Sequence, residues 1–126
     1  MTKTFLAVAI ISLSNPAIAA GLKVGDVLYC TSDYFYGSDV DNLNNVVRYK
    51  TQNFKLRVSD SSLVFGSSGY FSETTIPVVE FQPWKVIAKD EFSNFQLGAY
   101  SNNISFNYAS ANPFGMALIK GTCDKF

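Results

Sequence analysis

Residues 116–123 read Met116-Ala117-Leu118-Ile119-Lys120-Gly121-Thr122-Cys123, an apolar run that turns polar and ends on a cysteine. Ala117, Ile119, Gly121 and Cys123 share one face of such a run; Met116, Leu118, Lys120 and Thr122 take the other, as period two requires of a β-strand. Both faces are apolar at the start, so the strand is expected to begin buried and to emerge at Lys120. A second run, Val24-Gly25-Asp26-Val27-Leu28-Tyr29-Cys30, reads as the first strand and ends on the other of the chain's two cysteines. Bonding Cys30 to Cys123 would fasten the first and last strands of a sheet to each other. It would also close the edges that an open sheet leaves as pairing sites. Gly121, two residues before Cys123, would let a neighbouring strand come close enough for that bond.

The start of the chain explains why a disulfide is expected at all. Met1-Thr2-Lys3-Thr4 carries one positive charge, Phe5 to Leu13 is apolar except for Ser12, and Ala17-Ile18-Ala19 supplies small residues at a cleavage site. This is the pattern of a secretory signal occupying residues 1–19, with cleavage after Ala19 or Ala20. Nine residues are too few to cross ~30 Å of hydrocarbon. The remaining chain, residues 20–126, has the size of a single domain. An exported protein meets an oxidising compartment, and two cysteines allow one internal pairing. The expected location is periplasmic or secreted, in a bacterium. Removing Lys3 leaves nine basic against ten acidic residues, a net charge of 9 − 10 = −1. So balanced a chain offers no broad field to nucleic acid or anionic lipid.

Between the cysteines the pattern is strand after strand. Asn53 to Ser59 alternates most cleanly, with Phe54, Leu56 and Val58 on one side and Lys55 and Arg57 on the other. Asp60-Ser61-Ser62 turns it back to Leu63-Val64-Phe65, and Gly66-Ser67-Ser68-Gly69 turns again before Tyr70 and Phe71. Val46 to Lys50 reads as a short strand. Residues 76–81 contain Pro77, which cannot donate to a ladder and predicts an edge or irregular crossing. Phe95 to Tyr100 and Ile104 to Tyr108 alternate around Ser101-Asn102-Asn103, a hairpin. From Ser32 to Asn45 no periodicity is visible and Gly, Ser, Asp and Asn dominate, so this stretch is expected to be a long loop. Seven to nine short strands with regular turns and no helical stripe predict an all-β fold, a small antiparallel barrel or sandwich.

The residue inventory excludes more chemistry than it suggests. Histidine is absent, which removes the usual nucleophile-activating base and the commonest metal ligand. Asp39-Val40-Asp41-Asn42-Leu43-Asn44-Asn45 gathers oxygens, but Leu43 stands where a calcium loop needs a ligand and no Gly follows. Glu80, Asp90 and Glu91 have no spacing that sets two of them across a cleft. The expectation is a protein that is not an enzyme and uses no cofactor or metal. What stands out is aromatic: Tyr34-Phe35-Tyr36 are consecutive, and three in a row cannot all face a strand's interior. Exposed rings in loops read as contact residues. Tyr34, Phe35 and Tyr36, with the turn Ser67, Ser68, Gly69 and Tyr70, are the candidate binding residues. The partner would be a protein, or a small apolar ligand carried inside a lipocalin-like barrel. A structural or surface-assembly subunit is a third possibility.

Tyr29-Cys30 early, Ser67-Ser68-Gly69-Tyr70 near the middle and Thr122-Cys123 at the end resemble one family in layout. Small periplasmic inhibitors of C-type lysozyme are exported β-barrels of this size, with a disulfide from an early strand to the last. In that family a Ser-Gly-x-x-Tyr turn and a later lysine enter the enzyme's cleft. Here Ser68-Gly69-Tyr70 lacks the spacer before Tyr, and the stretch from Ser32 to Asn45 is additional. The resemblance implies a non-enzymatic, protein-binding, inhibitor-like module.

Overall fold

Leu28, Cys30 and Ser32 alternate inward along the first strand, and then the alternation slips by one residue. In a computed structural model, which describes residues 21–41 and 43–126, that slip shapes the barrel. The signal-peptide reading of residues 1–19 lies outside the described residues. Strand β1 spans Val27–Ser38, three residues later at its start and eight later at its end than the sequence suggests. Val24 and Gly25 instead form a turn ahead of it, with Gly25 at φ 100°. The expected loop is therefore strand over its first half. The others are β2 (Val47–Arg48), β3 (Asn53–Val58), β4 (Ser62–Phe65), β5 (Thr75–Gln82), β6 (Lys85–Lys89), β7 (Ser93–Tyr100), β8 (Asn103–Asn112) and β9 (Gly115–Lys125).

Each strand pairs antiparallel with the next in the order β1-β3-β4-β5-β6-β7-β8-β9, and β9 pairs back onto β1. Eight strands thus close a barrel, with β2 as an extra strand. β2 keeps the register that β3 holds with β1, since Tyr36↔Arg48 and Thr31↔Asn53 belong to one ladder. Residues 49–52 interrupt it. There Ser32 resolves its own burial: its hydroxyl accepts from the Gln52 amide at 2.7 Å and donates to the Gln52 carbonyl at 3.3 Å.

The closing seam runs from Leu28↔Lys125 to Ser38↔Met116, and Cys30 stands opposite Cys123. Their sulfurs are bonded, joining residues 93 apart in sequence inside the barrel wall. Gly121 is required beside them, because a Cβ there would strike the Thr31 carbonyl and come within 2.7 Å of the Ser32 Cα. β9 alternates as the sequence predicts: Ala117, Ile119, Gly121 and Cys123 are buried. It does not begin buried on both faces. Met116 and Leu118 are 46% and 54% exposed, because a barrel strand has only one inner side and the outer one meets solvent whatever it carries.

The interior is filled by rings. Phe95 and Phe106, from the β7–β8 hairpin, stack at 5.4 Å, and Phe54 meets Phe106 edge-on at 5.2 Å. Lower down, Leu28, Leu56, Val58, Leu63, Val86 and Leu97 complete the core. Leu22 seals that lower end, its amide donating to the Pro83 carbonyl at 2.7 Å. Next to it Asp26 is held by Lys23 at 3.2 Å and Lys125 at 3.3 Å. Trp84 is 61% exposed. It occupies the two-residue β5–β6 turn, where the chain reverses outside the wall. Pro77 lies in β5 opposite Ser62, where its missing N–H falls before the ladder to β6 begins.

Candidate functional site

The other end of the barrel carries the longer loops. Residues 39–41, 43–46, 66–74, 90–92 and 113–114 all emerge there. The 66–74 segment is a folded turn and not the extended run expected for Tyr70 and Phe71. Its amides bond within the segment, Ser72 to the Gly69 carbonyl, Glu73 to Gly66 and Thr74 to Phe71. Gly69 (φ 80°) lies against Gln52, whose side-chain oxygen a Cβ would approach to 2.9 Å. The same oxygen accepts the Tyr70 amide at 2.5 Å. These contacts aim Phe71 down into the barrel. It is 2% exposed and packs at 4.8 Å on each of Phe54, Phe65 and Tyr108. Phe71 plugs the mouth, and Tyr70 is left on the rim.

Beside Tyr70 lies a depression of about 620 Å³. Phe35, Tyr49, Tyr70 and Phe114 contribute rings, and Asp39, Lys50, Gln52, Ser110 and Asn112 contribute polar groups. The Tyr49 hydroxyl donates to Asp39 at 3.1 Å, and the Asn112 side-chain oxygen accepts the Phe114 amide at 2.7 Å. A second depression of about 460 Å³ shares Tyr70, Ser110 and Asn112 and continues toward Asp90, Glu91 and Ser93. Tyr70 packs edge-on against Phe35 at 5.1 Å. Burial, and then the neighbouring Tyr108, push its hydroxyl above the ordinary value of 10.0, against a smaller opposing effect of Ser110. Tyr70 therefore keeps its proton and remains a hydrogen-bond donor.

The three consecutive aromatics divide. Between β1 and β9 the register shifts from Ser32↔Gly121 to Tyr34↔Lys120, so Asp33 is the extra residue of a β-bulge. Past the bulge inward parity passes from even to odd numbers. Phe35 turns in and is 4% exposed, beneath the mouth. As a candidate binding residue it can offer only the floor of the depression and not an open contact. Tyr34 and Tyr36 face outward with their rings 6.3 Å apart, and Arg48 lies 6.0 Å over Tyr36. Tyr36 pairs with Leu118, Leu118 with Ala109, and Ser38 with Met116. Tyr34, Tyr36, Met116, Leu118 and Ala109 thus share the outer wall directly below the rim. A trough of about 490 Å³ runs between Leu118, Met116 and Phe92 over the small side chains Ala109 and Ala111.

Ser67, Ser68 and Gly69 are exposed on the rim. They stand apart from the Tyr34–Tyr36 pair, which lies on the wall. Sequence reading missed Met116, Leu118, Phe92, Phe114 and Asn112. For β9 a signal was present: a barrel strand that is apolar on both faces must expose one of them. Among the described residues no group of three or more His, Cys, Asp or Glu is placed to hold a metal ion. Among them also no helix is long and apolar enough to cross a membrane. Compared with protein-family models, curated proteins and solved structures, the chain matches none.

Proposed function

We propose that this protein is an exported, non-enzymatic binding protein that engages a protein partner at the loop-bearing end of the barrel. The observation carrying this reading is the outer wall, where Tyr34, Tyr36, Met116 and Leu118 are held side by side by strand register. Rings exposed on rigid strands bind at low entropic cost, and a contiguous apolar wall on a monomer is a common mark of an interface. The turn at Ser67, Ser68, Gly69 and Tyr70, on the rim and apart from that pair, is a second contact surface in this reading. The packed rings of the interior favour surface binding over carriage of a ligand inside the barrel.

An inhibitor of the lysozyme type is the specific form of this proposal. The chain from Ala20 onward, purified in its oxidised form, should slow hydrolysis of cell walls by a C-type lysozyme and co-migrate with it in gel filtration. Replacing Tyr34 and Tyr36 by Ala should abolish both effects and leave the melting temperature unchanged. No inhibition and no co-migration would sink the inhibitor form. Self-association of the chain alone, lost in the same variant, would favour an assembly subunit instead.

A further inference from the structure

We infer that the mouth depression is a binding site for a neutral oligosaccharide. This site adjoins the tyrosine wall, sharing Met116 with it, but excludes Tyr34 and Tyr36 and does not depend on the protein-binding proposal. The shape comes first. About 620 Å³ falls within the range of small-molecule sites, which favour the mouths of barrels. The second depression, about 460 Å³, joins the first at Tyr70, Ser110 and Asn112. Together they form a bent groove with two compartments, longer than a single compact ligand needs.

The lining then selects the chemistry. Tyr70 and Phe114, 46% and 68% exposed, present ring surface from two different loops on the groove's border. A ring face suits a flat patch of C–H groups, which a pyranose has on one side. The same lining includes groups that both donate and accept: Gln52, Ser110 and Asn112. The Tyr70 hydroxyl, hydrogen-bonded with Ser110 and Tyr108, adds a further polar group to the lining. A wholly apolar ligand would strand these polar groups without partners, at a cost. An anionic ligand would be opposed, since Asp39 and Asp41 outnumber Lys50 in the first depression and Asp90 and Glu91 line the second. A hydroxyl-rich, uncharged molecule with an apolar face satisfies both conditions.

The groove is also built in advance. Gln52 is tied to Tyr70 at 2.5 Å and to Ser32 through its backbone, and Asn112 is tied to Phe114 at 2.7 Å. A preorganised lining needs no reordering on binding. Three of its walls come from turns, and the floor is Phe35, turned inward by the bulge.

The test is an amide NMR titration of the oxidised chain with three uncharged trisaccharides: triacetylchitotriose, cellotriose and maltotriose. At least one should shift amides of residues 35–41, 49–52, 70 and 110–117, and leave the Tyr34 and Lys120 region of the wall unmoved. Phe114→Ala, at a site too exposed to threaten folding, should weaken that binding by about tenfold or more, as loss of one stacked ring does. Tyr34→Ala should leave it unchanged, which separates failure here from failure of the protein-binding proposal. Absence of shifts with all three sugars at about 10 mM, well above a millimolar Kd, would overturn the site. So would binding that Phe114→Ala does not weaken, or shifts at these residues with an apolar fluorescent probe and none with any sugar.

Discussion

Replacing Cys30 and Cys123 together by Ala should cost most of the margin by which the barrel is stable. The bond closes a loop of 93 residues. Opening it returns about 4.5 kcal/mol of chain entropy to the unfolded state, less whatever native geometry the bond constrains, so a loss of about 3–5 kcal/mol is expected. The folded barrel itself should survive. The seam ladder from Leu28↔Lys125 to Ser38↔Met116 does not need the sulfurs, and Ala fits both inward positions. The double alanine variant is the right perturbation. Cys123→Ser would leave a hydroxyl at a position only 6% exposed, adding about 1–3 kcal/mol that has nothing to do with the cross-link. The assay is urea unfolding at neutral pH. With a slope of about 2 kcal/mol/M, the midpoint should fall by about 2 M, and the slope should stay equal or rise as the freed unfolded chain expands. Reduced wild-type protein should follow the variant. A midpoint shift below about 0.5 M, about 1 kcal/mol at that slope, would refute the entropic reasoning.

Phe71→Ala should be strongly destabilising for a loop residue, by about 3–5 kcal/mol, since it removes a plug that packs on Phe54, Phe65, Phe95 and Tyr108. Thermal melting checks this; a loss typical of exposed loops, under about 1 kcal/mol, would mean that the mouth does not depend on the plug. Asp26 should give the barrel an acid-sensitive lower end. Burial acts to raise its pKa, but hydrogen bonds from the Lys23 amide and ammonium and from Lys125 outweigh it, and the net shift is downward from 3.8. A depressed carboxylate stabilises fully above its unfolded value and loses that contribution as pH falls through the folded one. The stability gap between wild type and Asp26→Asn should therefore be constant near neutrality and close below pH 3.8. Parallel acid limbs in urea titrations of the two proteins would contradict this.

The all-β class, the disulfide and the inward faces of β3, β7, β8 and β9 were legible because period two is a local signal that burial enforces. Lys55 and Arg57 on the outside of β3 leave one way to fold that stretch. Two features were not legible, for different reasons. Trp84 looks like core by composition, yet a two-residue turn between paired strands leaves its side chain outside the wall. The 66–74 segment contains Phe71 within a polar turn, and sequence does not say that a loop folds back to cork its own barrel. That outcome depends on Gln52, eighteen residues before Tyr70, being placed to accept its amide.

The deepest misreading, of residues 32–38 as loop, has a single cause, and it bears on function. A bulge at Asp33 inserts one residue into β1, so an unbroken strand reads as aperiodic. Below it β1 serves stability, with Leu28 and Cys30 turned inward. Without the extra residue Tyr34 and Tyr36 would point into the ring-filled core and Phe35 into solvent. The core has no room for two more tyrosines, and overpacking of that size is not tolerated. One inserted residue therefore gives the wall its outward-facing tyrosine pair and the mouth its phenylalanine floor. The same strand can then be fastened by the disulfide at one end and present both proposed binding surfaces at the other.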